Sequence, residues 1–389
     1  MQVSTRLKTI NGGGADGWEL FERSRALIAD GVPVIELTQG EHDIPTDPSI
    51  LSAMHAAAAE GHTGYAPIMG DPALRDAVAA RIAERTGVPT KRDNIMIQPG
   101  GQAGLYATHL AVLDAGDTAL FIDPHYATYP GTIRGVGGVP LSVRAHADNG
   151  FIPRAADIAA VASDAKSLMI NTPNNPTGVV YSADTLREIA AVCRDHDLWL
   201  ISDEVYDTQV WTGTHLSPRA LPWMTDRTLV IGSMSKSHAM TGSRIGWVCG
   251  PEDMIAALGD LATNTTYGVP GYIQKAALFG LKAGTPLEEK VAAPFRRRRD
   301  ITFDALKDQN ILRPVQSDGA MYVMLDVRAT GLSGEAFGFA LLDAERIAVM
   351  PGESFGQAAA GHIRIAMTAE DTVYADALKR IITFAQSLV

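Results

Sequence analysis

The chain has 389 residues, 46% of them hydrophobic, with 33 Lys and Arg against 44 Asp and Glu for a formal charge of −11. That length exceeds one small core and asks for two domains, or one large α/β domain with an appendage. The acidic balance argues against nucleic-acid and anionic-membrane partners, and two cysteines in separate apolar contexts, Cys193 and Cys249, provide neither a disulfide framework nor a cysteine zinc site.

In chain order, an arm leads into a helix expected over 18–30, with Asp16 near its start and Gly31 just past its end. Residues 12–17 fit GxGxxG, but no apolar strand precedes them, so a flexible arm is expected rather than a dinucleotide loop. The N-terminus lacks a basic segment followed by an apolar one, and no apolar run reaches ~18 residues, so the expectation is a cytoplasmic protein. After Leu37-Thr38-Gln39-Gly40-Glu41 the chain turns, and a helix is expected over 47–60 with Pro48 at its first position. A glycine-bracketed loop, 64–70, carries Tyr65, and Asp71-Pro72 opens a helix ending near Gly87.

From residue 94 the rhythm is strand, then helix. The segment 94–97 is strand-like, breaks at Pro99-Gly100-Gly101 and gives way to a helix through Leu113. Strands are expected at 118–122, 167–170, 198–201 and 228–231, and a helix over 182–196 has Ser182 as its cap. Short apolar strands alternating with helices predict an α/β fold with a mostly parallel, seven-stranded type of sheet covered on both faces. Ligands of such sheets bind outside the carboxyl ends of the strands. Gly100-Gly101-Gln102, Tyr126, Asn175, Asp203 and Lys236 all fall there.

Beyond about residue 280 the pattern turns α+β. A long helix over 286–307 contains the basic run 296–299, expected to be a solvated face; strands at 319–325, 347–350 and 362–366 and a final helix over 372–388 follow. The expected division is a large domain, 49–280, and a smaller one built from 1–48 and 281–389.

Two motifs fail on inspection. Gly352-Glu353-Ser354-Phe355-Gly356 fits a nucleophile elbow, but the only later histidine is His362, with no Asp or Glu between, so a tight turn is expected. Ser233-Met234-Ser235-Lys236 fits SxxK without the accompanying Lys-Thr-Gly or Ser-Asp-Asn. The ten histidines form no ligand set, and no metal is expected.

What survives fits the needs of pyridoxal 5′-phosphate. A lysine can condense with its aldehyde. A carboxylate, Asp203, can keep its ring nitrogen protonated. Asn175 and Tyr206 can donate to the ring oxygen, and Tyr126 can cover a ring face. Backbone N–H groups of Gly101 and Gln102 at a helix start, with Ser233, Ser235 and Arg244, suit its phosphate.

With these residues in place, the chain resembles the class I/II aminotransferases of the fold-type I pyridoxal-phosphate enzymes across nearly its whole length. Residues 233–246 fit that family's lysine-attachment signature, 171–178 its NxPxNPxG segment, and Asp203-Glu204-Val205-Tyr206 its DEVY segment, in the family's order. The resemblance implies a ping-pong transfer of an amino group from an L-amino acid to a 2-oxo acid. It implies that Lys236 anchors the cofactor and shuttles the substrate proton, and that Asp203 pairs with the ring nitrogen. Asn175 and Tyr206 would bond the ring oxygen, Tyr126 would stack, and Gly101, Gln102, Ser233, Ser235 and Arg244 would hold the phosphate. Arg364 would clamp the substrate carboxylate, with Gly40 and Asn175 beside it. Tyr65 would reach the phosphate of a partner subunit, which implies a homodimer with shared active sites. The segment around Gly40 reads Gly-Glu-His-Asp-Ile-Pro, where the family usually has Gly-Glu-Pro-Asp, so its lid is expected to behave differently.

One branch of the family carries a lysine where Gln102 stands, and another uses an arginine near Asn264, where residues 264–272 hold no Arg or Lys. Neutral, branched or aromatic donors are therefore expected over dicarboxylates, with 2-oxoglutarate or pyruvate as acceptor. A carbon–sulfur β-lyase of the same fold shares every motif and stands as the alternative. A ligand-sensing regulator resembling this family would need an N-terminal DNA-binding winged helix, for which the short N-terminal segment leaves no room.

Overall fold

A computed structural model describes residues 1–12 and 17–389, so Asp16 and the centre of the glycine-rich arm lie outside the described residues. Seven strands form the large sheet, in the spatial order Ile95–Gln98, Gly246–Cys249, Thr228–Ser233, Trp199–Asp203, Ala165–Asn171, Thr118–Asp123 and Val139–Arg144. All neighbours run parallel except Gly246–Cys249, which is antiparallel to both of its own.

The strands read as continuous apolar runs because both faces are covered. Side chains alternate across a strand, so Leu168, Ile170 and Leu200 pack with Leu186, Ile189 and Cys193 of the helix Ala183–Asp195. Phe121, Met169, Ile201 and Ile231 point the other way, into a cluster with Leu105 of the helix Gly101–Val112. Each such fully buried aliphatic side chain stabilises the fold by about 1.5–3 kcal/mol. The edge strand Val139–Arg144 was not foreseen, because its residues alternate weakly and most are exposed.

Helix boundaries follow the local chemistry. Pro72–Thr86 starts where the Asp71 carboxylate accepts from the Ala73 and Leu74 amides at 2.9 and 3.2 Å, and ends at Gly87 with φ +71°. The Ser182 hydroxyl accepts from Thr185 N at 3.1 Å to begin Ala183–Asp195.

A second, four-stranded sheet runs Met350–Pro351, His362–Ala366, Tyr322–Asp326 and Arg313–Pro314, antiparallel throughout. The single strand expected over 347–350 is in fact two. Ile347–Ala348 pairs in parallel with Ile35–Glu36 of the N-terminal arm, while Met350–Pro351 pairs with His362–Ala366. The basic run also departs from a purely solvated face. Arg298 is buried and binds Asp43 through both carboxylate oxygens at 2.9 and 2.6 Å, whereas Arg296 and Arg297 pair with Glu289 and Asp371 at the surface. Residues Gly352–Phe355 form a one-turn 3-10 helix, with Glu353 accepting from the amides of Gly334 and Gly361. Among the described residues, no helix is long and apolar enough to cross a membrane.

Candidate active site

Asn171, Asp203 and Ser233 are the last residues of three neighbouring parallel strands, and all three line a cavity of about 500 Å³. Beyond the strand Thr228–Ser233, the Ser233 hydroxyl accepts from Ser235 N at 3.0 Å and so caps a single helical turn, Met234–Ser237. That turn carries Lys236 into the cavity, where its Nζ donates to the Gly40 carbonyl.

Asp203 is 5% exposed. Its carboxylate accepts from the Tyr129 hydroxyl at 2.7 Å and from Val205 N at 3.3 Å. Burial raises its pKa to about 6, against the lowering effect of those two bonds. Among the described residues it forms no ion pair. A buried carboxylate without a cation is costly, so the cavity floor suits a cationic ring nitrogen, which is the fit that pyridoxal phosphate requires.

Arg364 comes from the other sheet, on His362–Ala366, and is 2% exposed. Its guanidinium lies between the rings of Tyr322 and Phe355, 4.3 and 4.4 Å from their centroids. One terminal nitrogen donates to Asn175 Oδ1 at 2.8 Å and the other to the Thr38 carbonyl, while its buried Nε has no protein acceptor. Burial lowers its pKa, and the neighbouring tyrosines act in the opposite sense. A planar cation with unused donors facing a cavity suits a carboxylate.

At the far side, Gly100 has φ +88°, and a Cβ there would strike the Arg244 guanidinium. Only glycine lets the start of Gly101–Val112 and Arg244 approach so closely. The expectation for Gln102 concerns its backbone N–H and is unchanged, while that for Ser233 needs refinement here. The Gln102 side chain accepts from the Thr128 hydroxyl at 3.0 Å and donates one Nε2–H to the Thr132 hydroxyl at 2.9 Å, which anchors it within the protein. The Ser233 hydroxyl, besides capping, lies 3.0 Å from the Ile245 carbonyl and 2.9 Å from the Ser235 hydroxyl, which commits its proton within the protein.

Tyr126 lines the cavity and meets Tyr129 edge to face, centroids 5.8 Å apart. The Tyr206 hydroxyl is 2.9 Å from that of Tyr322, and burial with that neighbour pushes its pKa well above the usual value. Gly40 must be glycine, because a Cβ would overlap the Tyr322 hydroxyl. Tyr65 is not brought to this cavity. It is 91% exposed and packs edge-on against Tyr267 at 5.1 Å.

Tyr129, Tyr322, Trp18, Glu41 and Thr241 also line the site or touch its residues, and the sequence reading missed them. None of the five had a local signal, since even Tyr126 lies before the Thr128 cap of the helix Tyr129–Val136 and no helical spacing links it to Tyr129.

The description "Aminotransferase class I and II" belongs to a family model that matches residues 32–381. Arginine–pyruvate transaminase AruH of Pseudomonas aeruginosa is 38% identical over 390 residues, covering 100% of this chain and 99% of that protein. Aspartate/prephenate aminotransferase of Thermus thermophilus is 34% identical over 359 residues, 91% of each chain. The solved Thermus thermophilus aspartate aminotransferase with maleate superposes with a TM-score of 0.92 at 31% identity, covering 99% of this chain and 100% of that one.

Proposed function

The chain belongs to the class I and II aminotransferases and is an aminotransferase of the fold-type I architecture; from that premise we propose which of its residues serve the reaction and which donor it takes. The family and fold are pyridoxal-phosphate dependent. When bound, that cofactor supplies an electron sink for the carbanion left as the α-proton departs.

One observation carries the residue assignment. Lys236, Asp203 and Arg364 come from two different sheets and distant parts of the chain, yet line a single cavity. Lys236 Nζ would anchor the cofactor aldehyde, and as the amine that lines the cavity it would take and return the substrate α-proton. Asp203 holds the ring nitrogen protonated, and Tyr129 orients its carboxylate. Asn175 bridges two tasks, since its Oδ1 accepts from Arg364 and its amide N–H groups are left for the ring oxygen, with Tyr206. Tyr126 covers the ring. Backbone N–H groups of Gly101 and Gln102, with Ser235 and Arg244, hold the phosphate, and Ser233 shapes that cup. Arg364 clamps the substrate carboxylate beside Gly40. Arg364→Leu is expected to lower kcat/KM about 10²–10³-fold, mostly through KM, because a buried charge-assisted pair is lost; steady-state kinetics check this.

For the donor, we widen the neutral class expected from the sequence to neutral or cationic side chains, with L-arginine as the first candidate and pyruvate or 2-oxoglutarate as acceptor. The cavity's three cations among the described residues, Lys236, Arg244 and Arg364, are all assigned, and Gln102 stands where one branch of the family carries a lysine. Its mouth instead has the Glu41 carboxylate and the Trp18 indole. An anionic side chain finds no counter-charge there, while a guanidinium finds both a carboxylate and an aromatic face. The relative named as an arginine–pyruvate transaminase supports the same choice. Mixing the pyridoxal form with each amino acid and following conversion to the pyridoxamine form tests it. Arginine or a neutral amino acid should react faster than aspartate and glutamate; the reverse order would overturn the donor assignment. The β-lyase alternative is not favoured, since the relatives are named as transaminases.

We extend the reading to a homodimer. Tyr65, Tyr267 and Tyr106 are exposed aromatics on the protein surface, and a second copy covering them would bring Tyr65 to the neighbouring site. The division into 49–280 and 1–48 with 281–389 is supported by the sheets. All large-sheet strands fall within 95–249, and the arm pairs with Ile347–Ala348. A cytoplasmic location agrees with two buried, unpaired cysteines.

A further inference from the structure

The peptide carbonyl of Lys236 is held from two directions. His42 Nε2, from the N-terminal segment, lies 3.1 Å from it, and Gln209 Nε2, from the loop after Trp199–Asp203, lies 3.2 Å from it. We propose that His42 is a positioning residue for Lys236, acting with Gln209 as a two-sided clamp on the backbone that carries the reactive amine. This rests on the assignment of Lys236 made above.

The segment 40–46 is bound at four points to residues 236–241, the lysine and the stretch that follows it. The Gly40 carbonyl accepts from Lys236 Nζ, and His42 reaches the Lys236 carbonyl. Glu41 Oε1 accepts from the Thr241 hydroxyl at 2.5 Å, and the Thr46 hydroxyl donates to the Ala239 carbonyl at 2.5 Å. The segment is fixed on its other side by Asp43, which binds buried Arg298 through both oxygens. The His42 ring stands edge-on to Phe295, centroids 5.4 Å apart at 71°, and this fixes its direction.

The proton inventory follows from these contacts. A carbonyl only accepts, so His42 Nε2 bears the hydrogen and donates it. Nδ1 is then the lone-pair nitrogen, and among the described residues it is buried without a donor to pair with it. Protonating Nδ1 would add a second cation beside Lys236. Burial, then the Lys236 charge, lowers the His42 pKa to about 4, against the raising effects of its bond to the Lys236 carbonyl and of the Asp43 carboxylate. Asp43 is itself committed to Arg298. The imidazole is therefore a neutral, single-tautomer donor in the working pH range, suited to holding a backbone and unsuited to acid–base exchange. The family's usual proline at this place has no side-chain donor, so the contact belongs to this chain's departure from that pattern.

A side chain as long as lysine amplifies any tilt of its own peptide, and misplacement by about 1 Å can cost about 10² in rate. Losing one of two clamping hydrogen bonds, with the other kept, corresponds to a smaller effect. His42→Ala is expected to lower kcat about tenfold with KM changed less than about twofold. His42→Gln, which restores an N–H donor of similar reach, should recover kcat to within about threefold of wild type. In cofactor-free protein, the rate at which acetic anhydride labels Lys236, read by peptide mass spectrometry, should rise several-fold in His42→Ala and return in His42→Gln. Thermal unfolding of both variants checks that the fold is kept. If His42→Ala matches wild type in kcat and in labelling, or if His42→Gln gives no recovery in either, the clamp is overturned. Lys236→Ala separates the two ideas, because activity surviving that change overturns the lysine assignment itself, whereas an inactive Lys236→Ala beside an unchanged His42→Ala overturns only the clamp.

Discussion

Lys236→Ala is expected to abolish turnover, lowering kcat by about 10⁴-fold or more, in a chain that still folds. General acid–base groups contribute about 10²–10⁴, and here one amine is assigned both the proton transfer and the covalent hold on the cofactor. Among the described residues no other lysine lines the cavity. Lys275 and Lys290 are ion-paired elsewhere, with Asp71 at 2.6 Å and Asp47 at 2.7 Å, so neither is free to substitute. The structural cost is small, because among the described residues the side chain's hydrogen bond is to the Gly40 carbonyl and the residue is only half-buried. Holoenzyme of the variant should lose the absorption band of lysine-bound cofactor and release the cofactor on dialysis. Activity above a tenth of wild type, or a band that persists, would remove Lys236 from its assigned role.

The residues that could be read from the sequence are those whose position depends on local pattern. Asp203 and Ser233 sit where apolar runs stop, and in a parallel sheet the ends of such runs converge on one site. Tyr129 and Tyr322 could not be read in this way. Their roles come from hydroxyl contacts to residues 74 and 116 positions away in sequence. Likewise the residue types around the phosphate cup were legible but their commitments were not. Whether the Gln102 amide is free depends on Thr128 and Thr132, which face it only once the helix after Gly100 has packed. The strand Val139–Arg144 escaped because an edge strand need not be apolar on both faces, and this one includes Pro140, which an edge tolerates. Tyr65 marks another boundary, since its proposed role depends on a second chain and one chain's fold leaves it exposed.

Asp203→Asn should trade activity for stability, with a sign that depends on pH and on the cofactor. In the folded, cofactor-free chain the Asp203 pKa is raised to about 6 from an ordinary 3.8, first by burial. A raised folded pKa means that the group's contribution is most favourable below about pH 4 and is lost as pH rises through 6. Above pH 6 the ionised carboxylate therefore costs the cofactor-free chain about 3 kcal/mol. Asparagine carries no charge at any pH, though it cannot accept from both Tyr129 and Val205 as the carboxylate does, which returns about 1 kcal/mol. Cofactor-free Asp203→Asn should thus be about 2 kcal/mol more stable than wild type near pH 8, and the gap should close as pH falls toward 4. Asp123, also raised to about 6, is present in both proteins and cancels in the comparison. With cofactor bound the order should reverse, because the wild-type carboxylate then has its cation and asparagine does not. The same loss should lower kcat about 10²–10³-fold. Urea unfolding of both proteins across that pH range, with and without cofactor, reads all three signs. A gap that stays flat with pH would mean that Asp203 is not an uncompensated charge in the empty site. A variant that keeps its activity would mean that the ring nitrogen does not depend on it.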